Sequence, residues 1–207
     1  LWKWALAECL PHFGPYQDAM PARSSALFHT RVSPLLHLHR LLPRRVVADV
    51  VAADAPLQSR EGFVRQVLGW REFVRHVHRA TDGFRNVEGG HLGADGELPA
   101  AWWADGRGDS TSSGMRCLDR VVEQVWQEGY GHHITRLMVL SNLATLLDVS
   151  PRELTDWFWV AYMDAYDWVV EPNVLGMGTF DVGPLMTTKP YVCGSAYIDR
   201  MSDFCSE

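Results

Sequence analysis

Lysine is almost missing from this chain. Lys3 and Lys189 are the two in 207 residues, so arginine carries nearly all of the positive charge. Arginine is the cation of choice where planar phosphate or carboxylate groups are held at fixed geometry. Long apolar runs are missing too. No stretch approaches the ~18–20 residues of a membrane span, and no signal peptide opens the chain. This excludes a helical membrane protein, and no membrane partner is expected. Cysteine is sparse: Cys9, Cys117, Cys193 and Cys205 lie too far apart for the disulfide framework of a small secreted domain. Without targeting signals, a reducing cytoplasm is the expected compartment. Internal repeats and convincing strand pairs are also lacking.

Apolar residues make up 47% of the chain, which excludes a disordered polymer and allows one large core. We expect a single domain over residues 1–207. Trp2, Trp4 and Leu6 already follow a helix-like pattern with no initiator Met before them, so a piece of a longer protein is expected. Net charge is −6, but it is unevenly spread. From Arg23 to Arg79 ten arginines face four acids, Asp49, Asp54, Glu61 and Glu72, so this segment carries +6 and the remainder −12. Such a segment suits a polyanion, and equally an ordinary solvated basic face.

Periodicity is helical nearly everywhere. Phe63, Val67, Trp70, Val74 and Val77 recur at i, i+4, i+7, i+11 and i+14, one stripe of a long amphipathic helix with Arg71, Arg75 and Arg79 beside it. Ser33-Pro34 and Pro43 mark two helix starts, the first of them short. Leu118, Val122 and Val125 share a face of a helix that begins after Met115 and breaks at Gly129 and Gly131. Another helix runs from about His132 to Leu147. Ser150-Pro151-Arg152-Glu153 has the form of a capping box opening a further helix. Residues 82–114 are rich in Gly, Asp and Ser and read as a long surface excursion anchored by Trp102-Trp103. The GRGDS within it is ordinary turn chemistry. After Trp168 the pattern becomes irregular. The fold class is all-α, with long loops.

One short stretch carries the chemical question. GYGHHITRLM sets two imidazoles after a glycine break, at the head of an apolar stripe formed by His133, Leu137, Leu140, Ala144 and Leu147. Taken alone, His133 reads as a buried ring with satisfied nitrogens. A metal pair is excluded, because adjacent helical side chains diverge by about 100°. The break nevertheless leaves the ring free to face a cavity.

Read in order, FHTRVSPLLHLHRLLPRRV, GWREFVRHV, YGHHITRLM, DAYDWVVEPNVLGM and TTKPYVCGSAYIDRMSDFC resemble the photolyase/cryptochrome superfamily. Within it they are most similar to the bacterial iron–sulfur (6-4) photolyases, the deoxyribodipyrimidine photolyase-related proteins. The resemblance spans nearly the whole chain and implies the C-terminal helical domain that holds FAD in a bent pose, without the N-terminal antenna domain. It implies Thr30 and Ser33 at the FAD pyrophosphate, Trp70 and Arg71 at the flavin wall, Asp164 against the flavin, and Asn173 as a weaker match. His133, with His132 beside it, would serve the lesion, near Tyr191 and Tyr197. Where the animal enzymes carry a second histidine this chain has Leu137, so proton transfer rests on fewer groups. Trp157 matches a relay aromatic for flavin photoreduction. Cys117 and Cys205 match two of four ligands to a [4Fe-4S] cluster, while Cys9 and Cys193 read as structural thiols.

The function so implied is light-driven repair of (6-4) pyrimidine photoproducts, with UV-damaged DNA as partner, by a monomer in a bacterial cytoplasm. The same flavin scaffold permits a cryptochrome-like blue-light photoreceptor without repair activity. A light-independent DNA-binding module stabilised by an iron–sulfur cluster is a third possibility.

Overall fold

The computed structural model describes residues 1–103 and 112–205. Among them there is no strand, only two isolated bridges, Met20 with Ser202 and Gly96 with Val149. The all-α expectation holds. The GRGDS stretch lies outside the described residues.

The helices begin and end largely where local chemistry places them. The first covers residues 2–16, with a π-helical turn at Ala5–Cys9 just ahead of Pro11. Ser33–His37 and Pro43–Ala52 follow, each with proline in the first turn, where its missing N–H costs nothing. The long stripe forms one helical run over residues 57–80, burying Phe63, Val67 and Val74. Arg116–Glu128 ends at Gly129, whose φ of 59° is left-handed and whose N–H bonds to the Val125 carbonyl at 2.7 Å. That is a glycine C-cap, so the expected break has a backbone cause. Helix then resumes through Thr135–Ser141 and Asn142–Leu146, and again over Pro151–Ala161 and Ser195–Met201.

Two local expectations are corrected. The capping box at Ser150 does not form: no side-chain cap bond is made, and Glu153 instead accepts the Leu98 N–H at 2.6 Å. The cause is the preceding excursion, which lies against this helix start through Gly96 N–H to Asp148 O and Ser150 N–H to Gly96 O, at 2.8 and 2.7 Å. Glu153 thus ties a loop rather than its own helix. The segment after Trp168 is only partly irregular: Asp167–Glu171 continues as a π-helical stretch Pro172–Gly178, while residues 186–194 carry no helix, as expected. Pro172 and two glycines look like breakers in sequence. Here the glycines serve close packing: a Cβ on Gly178 would lie 2.9 Å from Ser141 Oγ.

The largest core joins the helices after residue 116. Trp102, Leu118, Leu140, Leu154 and Trp157 are at most 1% exposed. Each such side chain contributes about 1.5–3 kcal/mol by leaving water. A second core, around Leu10, Phe13, Val46 and Val50, binds the first helix to the basic segment. Of that segment's acids, Asp49 pairs with Arg45, Glu61 with Arg65, and Glu72 with Arg71 and Arg75. The remaining arginines leave the segment cationic. Among the described residues no helix is long and apolar enough to cross a membrane.

Candidate functional site

Three of the π-helical stretches meet at one place. Arg65–Trp70 supplies Gln66 and Trp70, Thr135–Ser141 supplies Arg136, Leu137 and Ser141, and Pro172–Gly178 supplies Asn173, Val174 and Met177 to a single cavity of about 300 Å³. π-Turns shift a helix's side chains out of α register and recur at functional sites. The volume is at the lower end of the ~300–1,000 Å³ usual for ligand sites. His29, Ser33, Tyr130, His133, Phe158 and Asp164 complete its polar and aromatic walls.

The electrostatic centre is Asp164. Its Oδ2 accepts hydrogen bonds from Ser33 Oγ at 2.6 Å and Arg136 Nη2 at 3.0 Å. Its Oδ1 lies 3.0 Å from the same Arg136 nitrogen as an ion pair, yet it receives no well-aligned hydrogen bond. Arg136 stacks over Tyr162 at 4.0 Å and over Tyr130 at 5.6 Å. Arg31 covers Tyr130 at 5.0 Å and pairs with Glu128, which also accepts from Ser25. Burial pushes the Tyr130 hydroxyl up to about 12 and raises that of Tyr162, so both phenols stay protonated. On the opposite wall Trp70 Nε1 donates to Asn173 Oδ1 at 3.0 Å, and Asn173 Nδ2 donates to the Val169 carbonyl at 2.7 Å. Trp70 and Asn173 are therefore locked to each other, 103 residues apart.

The two histidines part company. His133 turns its ring into the cavity, exposed to that hollow although protein surrounds it. Desolvation, reinforced by the Arg136 charge, lowers its pKa to about 4. His132 is 2% exposed and stacks on His29, with ring centroids 4.3 Å apart and planes 7° apart. Neither His132 nitrogen has a hydrogen-bond partner, and burial with the neighbouring imidazoles pushes its pKa down to about 2. The satisfied buried histidine expected from the sequence is thus found at neither position.

Of the residues singled out in the sequence, Ser33, Trp70, Asp164, Asn173 and His133 converge on this cavity. Thr30 is buried beside it without lining it. Arg71 does not line the cavity; its guanidinium lies over the Trp168 ring at 4.9 Å and bonds to Glu72 at 3.0 Å. Tyr191 is 41% exposed, and Tyr197 packs on the main core near Arg200; neither lines the cavity. Trp157 is fully buried one residue behind Phe158, whose ring centroid is 5.3 Å away. Its Nε1 and that of Trp126 both donate to the Trp102 carbonyl, at 2.8 and 2.9 Å.

Sequence reasoning missed Arg136, Tyr130, Tyr162 and His29. A signal for Arg136 was present: it is the sole charged residue between Glu128 and Asp148, and an arginine inside an apolar helix requires a buried acid.

The thiols are less organised. Cys205 raises the pKa of Cys117, and Cys117 in turn raises that of Cys193, each on top of burial. Cys193 packs against the main core, and its Sγ donates to the Met138 carbonyl at 3.7 Å. Even so, no three His, Cys, Asp or Glu among the described residues are arranged to hold a metal ion. An iron–sulfur cluster needs four thiolates. The residues present do not by themselves fit one.

The cavity does fit a planar, polar heterocycle. Its walls pair apolar surface with the Asp164 carboxylate and the His29 and His133 rings, polar groups that match the N–H and C=O groups of such a ring.

No family model matches the chain. It is 36% identical over 202 residues to a (6-4) photolyase of Agrobacterium fabrum, covering 96% of this chain and 38% of that protein. Two uncharacterized proteins of Acanthamoeba polyphaga mimivirus are 39% identical over 66 residues and 26% identical over 121 residues, covering 32% and 55% of this chain and 54% and 85% of those proteins. The fold matches the crystal structure of a bacterial class III photolyase from Agrobacterium tumefaciens with a TM-score of 0.69 at 20% identity, over 88% of this chain and 38% of that one. The chain thus spans well under half the length of either photolyase. At 36% identity over 96% of its length the chain belongs to the photolyase/cryptochrome superfamily, in its bacterial (6-4) photolyase branch, and the fold is consistent with this.

Proposed function

We propose that this chain is the FAD-binding, catalytic part of a light-driven enzyme that repairs (6-4) pyrimidine photoproducts in DNA. The observation that carries the reading is one shared hollow: the His133 ring and the Asp164 carboxylate line the same cavity. When bound and reduced, FAD supplies the electron that light transfers to the lesion.

The chain's own residues do the rest. Asp164, fixed by Ser33 and Arg136, would hold an N–H of the ring system, and Trp70, bonded to Asn173, lines the same hollow. The pair rigidifies the site before anything binds. His133 faces the lesion side of the hollow and is neutral at pH 7 with a pKa near 4. An incoming phosphate or a developing negative charge favours its protonated form, so substrate itself prepares His133 to deliver a proton. Extrusion of the damaged pair gives it access, at a lower opening cost than for an intact pair. The cationic segment Arg23–Arg79 supports contact with the backbone phosphates. A [4Fe-4S] cluster would require ligands beyond Cys117 and Cys205.

The test is an absorption spectrum of the full-length protein, followed by illumination with an oligonucleotide carrying a (6-4) lesion. Flavin absorbance with light-dependent repair is expected. His133→Ala should keep the flavin and lose repair. Flavin without repair would instead select the photoreceptor alternative, and a colourless protein would end the proposal.

A further inference from the structure

A second cavity, of about 480 Å³, lies on the other side of the loop that carries His29. The partition is one residue thick: His29 lines the first cavity, and Phe28 lines the second. Leu27, just before them, has a φ of 43°, a left-handed conformation that a branched apolar residue rarely adopts. This strained turn directs neighbouring side chains to opposite faces, and such strain persists where the surroundings hold it for use.

The second cavity has an aromatic wall. His12 and Tyr16, one helical turn apart, flank Phe28 at centroid distances of 4.6 and 5.4 Å, tilted by 37° and 46°. Arg23 and Arg200 line the same cavity, and both are exposed. Asp203 is the acid among the lining residues, and its Oδ1 is taken by the Ala22 N–H at 2.5 Å. Arg200 also lies over the Tyr197 ring at 5.8 Å. Rings for stacking beside guanidiniums are the chemistry by which proteins hold single-stranded nucleic acid.

We propose that this cavity holds one unpaired DNA base and its phosphate, the base against the His12–Phe28–Tyr16 wall and the phosphate between Arg23 and Arg200. This rests on the repair reading, because the strand must already be opened at the first cavity. Neighbouring bases along an opened strand then have receptacles on the two faces of one loop.

The test uses the full chain with a single-stranded oligonucleotide containing one 2-aminopurine. Stacking on the aromatic wall should quench its fluorescence. Phe28→Leu should remove the quenching and weaken binding about fivefold or more. Arg23→Gln with Arg200→Gln should weaken binding and lower the salt slope by about one for each phosphate no longer neutralised. Both variants should retain flavin absorbance. The arginines are exposed, so the double variant keeps the test open should Phe28→Leu fail to fold. If wild type binds DNA and both variants bind and quench as it does, the inference is overturned and the repair reading stands. Binding of free 2-aminopurine nucleotide as tight as that of the oligonucleotide would make this a small-molecule pocket and also overturn it. Absence of DNA binding by a flavin-loaded wild type would sink both readings.

Discussion

Arg136 Nη2 lies 3.0 Å from both carboxylate oxygens of Asp164, inside a wall that also holds Ser33 and Tyr162. Asp164 is 5% exposed, so neither charge is well compensated without the other. Removing one member of such a pair costs about 3–5 kcal/mol, and the partial exposure of the guanidinium places this pair near the lower figure. Asp164→Ala is therefore expected to lose about 3 kcal/mol in urea denaturation. Asp164→Asn, which keeps the Ser33 bond, should lose less stability yet still lose flavin affinity. Flavin retention at the wild-type level in both would refute the role assigned to the Asp164 carboxylate.

The stacked His29–His132 pair makes stability depend on pH. Burial lowers His132 to about 2 and His29 to about 4, from an ordinary 6.5. The unfolded chain therefore takes up protons that the folded chain refuses. Stability from these rings is complete above pH ~6.5 and is lost as pH falls, down to about 4 for His29 and about 2 for His132. Melting temperature measured between pH 7.5 and 4.5 should fall on acidification. His132→Phe should flatten that dependence; an unchanged slope would show that the pair is not its source.

Trp157 gives a photochemical prediction. It lies between Phe158 at the cavity and Trp126, whose centroid is 6.3 Å away, and Trp103 follows at a further 6.3 Å with 46% exposure. Trp157→Phe should keep flavin bound but slow its photoreduction at least about tenfold, while losing about 1 kcal/mol with the bond to the Trp102 carbonyl. Transient absorption after a light pulse reads the first effect and chemical denaturation the second. Photoreduction at the wild-type rate would exclude Trp157 from the route.

Backbone geometry supplies a contrast between two glycines. Gly129→Ala forces a Cβ into a left-handed φ and should cost about 1–2 kcal/mol without altering the cavity. Gly178→Ala sets a Cβ 2.9 Å from Ser141 Oγ and 3.2 Å from the Asn173 carbonyl, so it must spread two helices that line the cavity. It should weaken flavin binding more than Gly129→Ala does. Comparable flavin loss in both would contradict that assignment.

The sequence by itself determined most of the helices, because periodicity, proline and glycine act over neighbouring residues. The stripe from Phe63 to Val77, the proline starts and the Gly129 cap were all legible. So was a histidine placed to face a hollow, since the GYG break is local. The tertiary structure alone decided which residues meet. Asp164 reaches Arg136 across 28 residues and Trp70 reaches Asn173 across 103. Partners so distant leave no periodic trace, so Arg71 looked like a wall residue until packing turned it onto Trp168. Pro172 and its glycines looked like breakers until close helix contacts required them. Local propensity sets the pieces, while the burial of charge and ring faces against remote partners fixes the cavity.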